Sequence, residues 1–422
     1  MKKIDLLILS WHQTYLSTHA GGYVRLREFL KRIPGNLSFR LLDNSPSIYQ
    51  DLVKEKDLIL YQTPAFIKPI QKFFFPLWYL LENLTSGLIL YKKIRKIMQT
   101  SEVKVLYVPI AEFRHLYLPA YFLKKRFKHT KLVVDILNYE IPDKSAFEYF
   151  QKLRKTGRGI ISSVAIVLDC LSAKFVLSRT IKLADYVFTV SPELVEKINQ
   201  SYQKKTIAYT PSGVNIEQNQ KQVKKKYLGV YIGRMTLQKG IFDVLRTWKL
   251  VVQKQPSAKL ALAGQVDPNT LETVHKTVRG LGLEKLVTVF GQVTEENKNK
   301  ILSESELFLH LASYEPLFPV IGILEGSSFG LPAVIYDMDV VASQKKELTK
   351  RNSVYIVRNG NIGEAAKKVL AYSKAGNAEK KALSKDARYY ASLFDWDLIA
   401  KKEWTVIVDL ASGQRLNKNA ND

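Results

Sequence analysis

Short apolar segments alternate with longer segments of helical periodicity along almost all of the chain, and no other feature restricts its fold as strongly. The apolar segments are rich in Val, Ile, Leu and Tyr. Apolar strands connected by helices are typical of parallel sheets that are covered on both faces. We therefore predict an α/β chain built from doubly wound, Rossmann-like units. The predicted strands are Ile4–Ser10, Leu37–Leu42, Leu58–Gln62, Val103–Val108, Lys131–Ile136, Tyr186–Val190, Thr206–Tyr209, Leu228–Ile232, Lys259–Ala263, Val287–Phe290, Leu307–His310, Ala333–Tyr336 and Val354–Val357.

A polar and basic stretch, residues 212–226, interrupts this alternation just before a new strand begins. We interpret it as a linker between an N-terminal domain, residues 1–211, and a C-terminal domain, residues 227–394. Two such domains are expected to face each other across a cleft, because open α/β sheets bind ligands beyond the carboxyl ends of their strands. The last helical segment, residues 395–422, is expected to pack back on the N-terminal domain and complete it, an expectation that rests on chain order alone.

The composition excludes several kinds of site and favours anionic partners. Cys170 is the only cysteine, which excludes an internal disulfide and a cysteine-based metal site. The six histidines show no helical pairing, so we expect no metal and no bound cofactor. With 64 Lys and Arg residues against 39 Asp and Glu residues, the formal net charge is +25. Such a charge attracts nucleic acid, an anionic membrane or phosphorylated substrates.

Two segments combine basic side chains with apolar and aromatic ones, namely residues 66–99 with FFFPLWYLL and LILY, and residues 151–182 with GIISSVAIVLDCLSAKFVL. Asp169 and Lys174 lie inside the second segment, and charges at the middle of a membrane span are costly. We therefore predict a long amphipathic or core helix that lies on a membrane and does not cross it. An internal core helix with a solvated basic face explains either segment equally well. The opening residues lack a signal-peptide pattern, so we expect a cytoplasmic protein associated peripherally with the cytoplasmic face of the membrane.

The connection after the strand at Leu228–Ile232 carries two cations. The segment Gly233–Gly240, GRMTLQKG, opens a helical pattern, so Arg234 and Lys239 stand on a strand-to-helix turn. Two cations beside unpaired helix N–H groups make a site for a diphosphate. Taken alone, the same eight residues favour a simple turn set by glycine, with both cations in solvent.

Six segments in the same order resemble the GT-B glycosyltransferases, in particular the retaining glycosyltransferase family 4 (group 1). The resemblance covers nearly the whole chain and is strongest from Ala184 to Asp337. It implies two Rossmann-like domains and a nucleotide-sugar donor. The segments are Gly21 with Gly22 after the first strand, ADYVFTVSPELVEKI at Ala184–Ile198, TPSGVNIE at Thr210–Glu217, GRMTLQKG at Gly233–Gly240, ASYEPLFPVIGILEGSSFGLPAVIYD at Ala312–Asp337 and FDWDLIAKKEW at Phe394–Trp404.

The resemblance also implies roles for individual residues. Arg234 and Lys239 would bind the diphosphate of a nucleotide-sugar and neutralise charge as the bond between sugar and phosphate breaks. Glu325 would accept hydrogen bonds from the ribose hydroxyls, and Glu315 would contact hydroxyls of the transferred sugar. The glycines implied near the donor phosphates are Gly21, Gly22 and Gly233.

The chain departs from the family pattern at two places. Nine residues separate Glu315 from Glu325, more than in the family, so the loop that carries Glu315 is longer. By position alone, Glu325 is also explained as a first-turn carboxylate that complements a helix dipole. Where many relatives place a histidine, this chain has Leu137 and Asn138. The polar candidates on this acceptor side are Asp135, Asn138 and Glu140, with His12 and His19 as alternatives; Asp135 could equally be a buried structural carboxylate.

Together these features predict a retaining, metal-independent glycosyltransferase that moves a sugar from a nucleotide diphosphate to an acceptor hydroxyl. The departing phosphate is expected to act as the base, because the sequence offers no obvious nucleophile or acid–base pair. Asp337 and Asp339 form an Asp-Met-Asp triplet, but such triplets are frequent by chance and we do not interpret it as a metal site. The basic, aromatic first half favours a lipid-linked glycan or a glycolipid as acceptor. The alternatives are a nucleotide-sugar epimerase of the same fold and a non-enzymatic protein that binds RNA through its charge.

Overall fold

The computed structural model divides the chain into two compact units. The first comprises Met1–Thr210 with Ala400–Asp422, and the second comprises Pro211–Ile399. The sequence places the corresponding divisions at residues 211 and 395. The structure describes residues 2–11, 21–45, 49–61, 75–109, 114–137, 145–155, 159–204, 206–216, 223–313, 315, 319–338 and 342–414.

The first unit contains a seven-stranded sheet with the strand order β3-β2-β1-β4-β5-β6-β7, in which all neighbouring strands are parallel. The chain builds the sheet outward from β1 in one direction, returns to β4 and continues in the other, which is the doubly wound arrangement. The strands are β1 Lys2–Leu9, β2 Phe39–Asp43, β3 Leu58–Leu60, β4 Ser101–Val108, β5 Lys131–Ile136, β6 Tyr186–Thr189 and β7 Ile207–Tyr209. The helices are α1 Gly21–Lys31, α2 Phe75–Thr100, α3 Arg114–Arg126, α4 Ala146–Lys155, α5 Ile160–Leu183 and α6 Pro192–Tyr202.

The second unit contains a six-stranded parallel sheet with the order β10-β9-β8-β11-β12-β13. It places β8 beside β11, although these strands are far apart in the sequence. The strands are β8 Tyr227–Ile232, β9 Leu260–Ala263, β10 Val287–Gly291, β11 Ser305–His310, β12 Ala333–Tyr336 and β13 Val354–Val357. The helices are α7 Ile241–Lys254, α8 Pro268–Gly280, α9 Glu295–Ser303, α10 Ile321–Ser328, α11 Ala342–Thr349, α12 Ile362–Lys374, α13 Asn377–Ser392 and α14 Trp396–Ser412, whose last turns belong to the first unit.

The prediction of parallel strands is confirmed, and the inner strands of both sheets are largely buried, whereas the edge strands β3 and β10 are partly exposed. All thirteen predicted strands are present in the described residues, with ends within two residues of the predicted ones. The reason is visible in β1, where Leu6, Leu7, Ile8 and Leu9 have no exposed surface. A strand covered on both faces needs apolar side chains at consecutive positions, and this leaves a clear pattern in the sequence.

Helix α7 lies close against β8 because the sequence combines a bulky apolar stripe with a glycine. Val244, Trp248 and Val251 recur at helical spacing and are completely buried. A Cβ on Gly229 of β8 would lie 2.6 Å from the Trp248 ring, so the indole occupies the space of the missing side chain. This packing fixes the position of α7 against β8.

The predicted linker is bound to the second unit at its described ends. The backbone of Val214 accepts a hydrogen bond from Trp396 at 3.2 Å and donates one to Phe394 at 2.9 Å. Lys225 donates to the carbonyl oxygens of Ser303 and Ser305 at 2.8 and 2.7 Å. These parts of the stretch 212–226 are therefore held by the second unit and do not behave as a free connection.

The basic segment 151–182 forms the end of α4 and most of α5. Helix α5 buries Val167 and Ile181 but exposes Ile161 and Leu168, so both of its sides carry apolar residues. The expectation of an amphipathic or core helix therefore fits the buried side of α5, but the exposed side is apolar as well. In the described part of the chain, no helix combines the length and apolarity that a bilayer span requires.

The last helix, α14, supplies side chains to the first unit through its second half. Trp404 donates a hydrogen bond from Nε1 to the carbonyl oxygen of Phe29 at 3.1 Å. Glu403 is completely buried and pairs with Arg25 at 2.7 Å. Residues 400–412 thus contribute buried side chains to the first unit.

Candidate functional site

The loop between β8 and α7 holds Lys239 beside the end of β11. Residues Leu237–Lys239 form one 3₁₀ turn, and the Thr236 hydroxyl accepts a hydrogen bond from the Lys239 N–H at 3.3 Å. Gly240 follows with a φ of 74°, and a Cβ there would lie 1.8 Å from the carbonyl oxygen of Leu311. Only glycine fits this backbone conformation and this close approach. The loop therefore cannot move away from β11 without losing its packing.

The beginning of the same loop is held by its backbone while the Arg234 side chain stays exposed. A Cβ on Gly264, which follows β9, would lie 1.9 Å from the carbonyl oxygen of Gly233. The Tyr231 hydroxyl donates a hydrogen bond to the carbonyl oxygen of Arg234 at 2.6 Å. A fixed backbone with an exposed guanidinium can present its planar donors to a phosphate.

Lys239 and Glu315 were both predicted as site residues, and the structure brings them together. The Lys239 Nζ lies 2.6 Å from each carboxylate oxygen of Glu315. The Lys239 side chain is 22% exposed and that of Glu315 is 8% exposed. The Glu315 Oε1 also lies 2.9 Å from Nε2 of His310, the last residue of β11. One buried carboxylate therefore has both a lysine and a histidine as partners.

These partners keep Glu315 ionised. Burial alone would raise the pKa of Glu315, but the hydrogen bond of His310, the charge that His310 carries when it is protonated and the charge of Lys239 lower it below its ordinary value. Burial and the negative charge of Glu315 raise the pKa of Tyr231, which remains a neutral phenol. Because Glu315 is a carboxylate bonded to Lys239, any anion that binds Lys239 must compete with it.

Glu325 lies on α10 and bonds to a lysine of α9. Its Oε1 accepts a hydrogen bond from Lys298 Nζ, which also pairs with Glu295 at 2.9 Å. Burial would lower the pKa of Lys298, but the two glutamates outweigh burial and raise it. A Cβ on Gly326 would lie 2.7 Å from the Phe308 ring, so α10 packs directly against β11. Close packing and an ionic partner thus orient the Glu325 carboxylate.

The interpretation of Glu325 as a first-turn carboxylate is wrong. Helix α10 begins at Ile321, and its first turn holds no acidic residue. Glu325 therefore lies one turn further along, where the helix dipole has little effect. The apolar run before Glu325 belongs to the helix itself and does not precede it.

Asp135 of the first unit belongs to a buried cluster. The Arg25 Nη2 lies 2.7 Å from Glu403 Oε2, and the Arg25 Nε lies 3.6 Å from Asp135 Oδ2. The Tyr107 hydroxyl lies 2.8 Å from Asp135 Oδ2 and is also hydrogen-bonded to Glu403. Burial and the negative charge of Glu403 raise the pKa of Asp135 well above its ordinary value. Of the two possibilities that the sequence leaves open, the structure supports a buried structural carboxylate.

The other predicted residues of the first unit are only partly within the described residues. Gly21 and Gly22 open α1, and Leu137 is buried just after β5. The acceptor-side candidates outside the described residues are His12, His19, Asn138 and Glu140.

Two partners of the site residues were missed in the sequence. His310 ends a predicted strand five residues before Glu315. A polar residue at the end of an apolar strand is a pattern that could have identified it as a site residue. Lys298 stands in a polar helix and resembles any surface lysine, so the sequence held no signal for it. Its role follows only from the packing of α9 near α10.

The Asp-Met-Asp triplet lies only partly within the described residues. Asp337 pairs with Lys345 at 2.8 Å, and Asp339 lies outside the described residues. Among the described residues, no group of three or more His, Cys, Asp or Glu side chains is arranged to hold a metal ion.

Residues 214–390 match the family model described as Glycosyl transferases group 1. This segment contains the whole loop between β8 and α7, the ion pair of Lys239 with Glu315, and Glu325. The family match and the charged cluster therefore fall on the same part of the chain.

Known proteins resemble the chain over different lengths. A GDP-mannose:cellobiosyl-diphosphopolyprenol alpha-mannosyltransferase of Xanthomonas campestris is 22% identical over 167 residues, which are 40% of this chain and 43% of that protein. The chain spans less than half the length of the curated relatives it matches.

Solved structures match nearly the whole chain. A glycosyltransferase from Rickettsia africae has a TM-score of 0.64 at 15% identity, over 97% of this chain and 99% of that chain. HepE from Anabaena, solved in complex with UDP, has a TM-score of 0.63 at 13% identity, over 97% of this chain and 100% of that chain. At such identities the likeness establishes the fold of two Rossmann-like units.

Proposed function

We propose, starting from the group 1 glycosyltransferase domain that residues 214–390 form within a GT-B fold, that this protein is a retaining glycosyltransferase. It transfers a sugar from a nucleotide-diphosphate sugar to an acceptor hydroxyl. The observation that carries the proposal is the position of Arg234 and Lys239 on a loop held by glycines between β8 and α7. By its name the Xanthomonas relative uses GDP-mannose, and the Anabaena neighbour was solved with UDP, which supports a nucleoside diphosphate as ligand.

In this proposal the two cations stabilise the leaving group. A nucleoside diphosphate gains negative charge as the bond from sugar carbon to phosphate oxygen breaks, and donors placed in advance lower the barrier. Arg234 offers a planar fork and Lys239 a point charge, so neither replaces the other. The departing phosphate oxygen takes the proton of the acceptor hydroxyl as the new glycosidic bond forms on the same face. No metal and no further cofactor take part in this scheme.

Glu325 and Glu315 are proposed to bind donor hydroxyls. A carboxylate accepts hydrogen bonds from two vicinal hydroxyls at once, which suits Glu325 for the ribose. Lys298 orients this carboxylate, which is 21% exposed and so accessible to a ligand. Glu315, beside Lys239, is assigned to the transferred sugar.

Thermal unfolding with a panel of nucleotide-sugars tests the donor site. We expect UDP or GDP and the matching sugar nucleotide to raise the Tm, since a ligand at a hundred times its Kd adds about 2.7 kcal/mol to the free energy of unfolding. Lys239→Ala should lose most of this shift. The matched control is Lys254→Ala, which removes an exposed lysine at the other end of α7 and should keep it.

Three results would separate the alternatives. No Tm shift with UDP-glucose, UDP-N-acetylglucosamine or GDP-mannose contradicts the donor site. Conversion of the sugar nucleotide without any acceptor indicates an epimerase. Tight RNA binding that Lys239→Ala leaves unchanged would favour a polyanion-binding protein.

We also propose that the acceptor is lipid-linked and that the protein binds it at the cytoplasmic face of a membrane. Exposed apolar side chains of α5 recur at alternating spacings of three and four residues and therefore follow one side of the helix. They are Ile161, Val164, Leu168, Leu171 and Phe175. The guanidinium of Arg179 stacks on the ring of Phe175 and, with Lys174, is exposed beside this stripe. An apolar stripe with cations at one end fits an anionic membrane surface, and the name of the Xanthomonas relative includes a diphosphopolyprenol acceptor.

Co-sedimentation with vesicles tests the membrane proposal. Vesicles that contain phosphatidylglycerol should bind the protein in a salt-sensitive manner, and Leu168→Glu should weaken binding several-fold. Leu398→Glu is the control, because Leu398 is 61% exposed and Leu168 is 62% exposed. Equal binding to neutral phosphatidylcholine vesicles, or equal binding by the two variants, would contradict the proposal.

A further inference from the structure

We propose that the His310–Glu315 pair takes up one proton from solvent when the donor diphosphate replaces Glu315 as the partner of Lys239. The inference rests on the proposed function, because it takes Lys239 as a diphosphate ligand. His310 then remains the hydrogen-bond partner that holds Glu315 in place after Lys239 has bound the phosphate. His310 is thus a positioning residue for the carboxylate proposed to contact the transferred sugar.

The first step is the sharing of Lys239. Both oxygens of the Glu315 carboxylate lie 2.6 Å from the ammonium, which occupies much of its donor capacity. A diphosphate carries more charge than a carboxylate and is the stronger competitor for a single cation. Its binding therefore weakens or breaks the bond between Lys239 and Glu315.

The second step concerns the carboxylate left behind. Glu315 is 8% exposed, so water cannot replace a lost ionic partner. The group still bonded to it is the imidazole of His310, whose Nε2 lies 2.9 Å from Oε1 and whose ring is also buried. An imidazole is the side chain whose ordinary titration lies nearest to neutral pH. A proton added to the pair changes its net charge from minus one to zero and restores the balance that Lys239 had supplied.

The third step is a place for the proton. The Nδ1 of His310 is buried without a hydrogen-bond partner in the described part of the chain. With Nε2–H donating to Glu315, the lone pair of Nδ1 can accept the added proton. Since the two groups are coupled, the proton belongs to the pair, and either microscopic form has the same charge.

The other ionisable groups on elements around β11 are engaged elsewhere. Arg234 is exposed on the loop after β8 and forms no ion pair with Glu315 in the described residues. The remaining groups have partners of their own, namely Tyr231 with the Arg234 carbonyl, Tyr336 with Asp243, Glu304 with Lys226, Glu306 with Lys380, and Glu325 and Glu295 with Lys298.

Isothermal titration calorimetry in buffers of different ionisation enthalpy tests the inference. The probes are UDP-glucose and GDP-mannose. Their diester phosphates keep a constant charge near neutral pH and therefore do not contribute to the measured proton uptake. We expect uptake of about one proton per bound nucleotide-sugar in mildly alkaline buffer. In this range the Kd should rise by about tenfold for each pH unit.

His310→Gln is the decisive variant, because its amide keeps a donor for Glu315 but cannot hold a proton. It should fold, bind the nucleotide-sugar with no proton uptake and show a flat pH dependence of Kd. If His310 has only a structural role, glutamine should replace it and the proton uptake should be unchanged. Glu315→Gln should also lose the uptake, since the buried charge is then gone.

The outcomes distinguish the inference from the proposed function. If wild-type protein binds neither probe, the proposed function fails. If it binds one of them without proton uptake, Lys239 bridges carboxylate and phosphate, and the inference is overturned while the function stands. Uptake that persists in His310→Gln assigns the proton to another group and also overturns the inference.

Discussion

The two units each contain a carboxylate cluster around a cation, but the clusters differ in access to solvent. In the first unit Arg25 is enclosed between Asp135 and Glu403, and each of these side chains is at most 2% exposed. In the second unit Lys239 is 22% exposed and stands on a loop at the carboxyl end of the sheet. A cation with no access to solvent can only hold the fold, whereas a partly exposed one can exchange its partner for a ligand.

The partners of each cation reinforce this contrast. Glu403 comes from the last helix of the chain and is 378 residues from Arg25, so their pair ties that helix to the first sheet. Lys239 and Glu315 stand after neighbouring strands, and glycines, not ion pairs, hold the loop of Lys239. The first cluster is therefore expected to govern stability and the second to govern binding.

Arg25→Met should produce the largest loss of stability. It leaves Glu403 and Asp135 buried without their cation, and removing one partner from a buried pair costs about 3–5 kcal/mol. Arg27→Met on the same helix is the control, because Arg27 pairs with the half-exposed Asp51 and such pairs are worth about 0–1 kcal/mol. Urea unfolding, followed by hydrogen exchange of β1 and β5, measures both. Equal losses for the two variants would break the contrast between the clusters.

Lys239→Ala should reduce turnover without a comparable loss of stability. Removing one preorganised donor for a developing negative charge lowers the rate by about 10²–10³-fold. Glu315 keeps His310 as a partner in this variant, so the second unit should retain most of its resistance to urea. Sugar-transfer rates and unfolding curves of the same preparation test this. A large destabilisation with normal turnover per folded molecule would make Lys239 a structural cation like Arg25.

Glu325→Gln should weaken nucleotide affinity by about tenfold, because hydrogen bonds to a charged acceptor are worth about 1.5–3 kcal/mol. Glu295→Gln is a matched control, since both glutamates bond to Lys298. Titration with a nucleoside diphosphate gives both Kd values. If the two variants bind equally well, the role of Glu325 is to hold α9 against α10.

The free energies of unfolding of the two units should depend differently on pH, and this is the smallest of the predicted effects. The folded-state pKa of Asp135 is raised, so its contribution is complete below about pH 3.9 and is lost as the pH rises toward the folded value. The pKa of Glu315 is lowered, so its contribution is lost only in acid. From about pH 5 to 8 the first unit should weaken, while Glu315 keeps its contribution to the second unit.

Asp135→Asn isolates this effect, because asparagine resembles the protonated acid and does not titrate. The variant should lose this pH dependence, so its stability relative to the wild type should rise steadily from pH 5 to pH 8. Hydrogen exchange measured for β5 and for β11 reports the stability of the first and the second unit separately. A wild type whose first unit strengthens with rising pH would show that Asp135 is ionised beside Arg25.

Features with a short-range cause could be predicted from the sequence. The buried parallel strands require consecutive apolar residues, and the turn at Gly233–Gly240 places Arg234 and Lys239 between a strand and a helix. The start of α10 was misjudged because an apolar run has the same composition in a buried strand, a loop and a buried helix. Glu325 was therefore assigned to the wrong turn.

Side-chain partners could not be predicted in the same way. The role of Lys298 depends on the position of α9 near α10, which brings its ammonium to Glu325. Asp135 stayed ambiguous because nothing near it in the chain identifies Arg25 or Glu403 as its neighbours. Ion pairs between distant residues depend on the order of strands and on how deeply each group is buried.

The sequence by itself determined the two parallel sheets, the glycine loop with its two cations and the excess of positive charge, because these depend on periodicity and composition over a few residues. The tertiary structure alone decided which carboxylate meets which cation and which cation water can reach. The physical reason is that the strength of a charge depends on its distance from other charges and on its burial, and packing sets both.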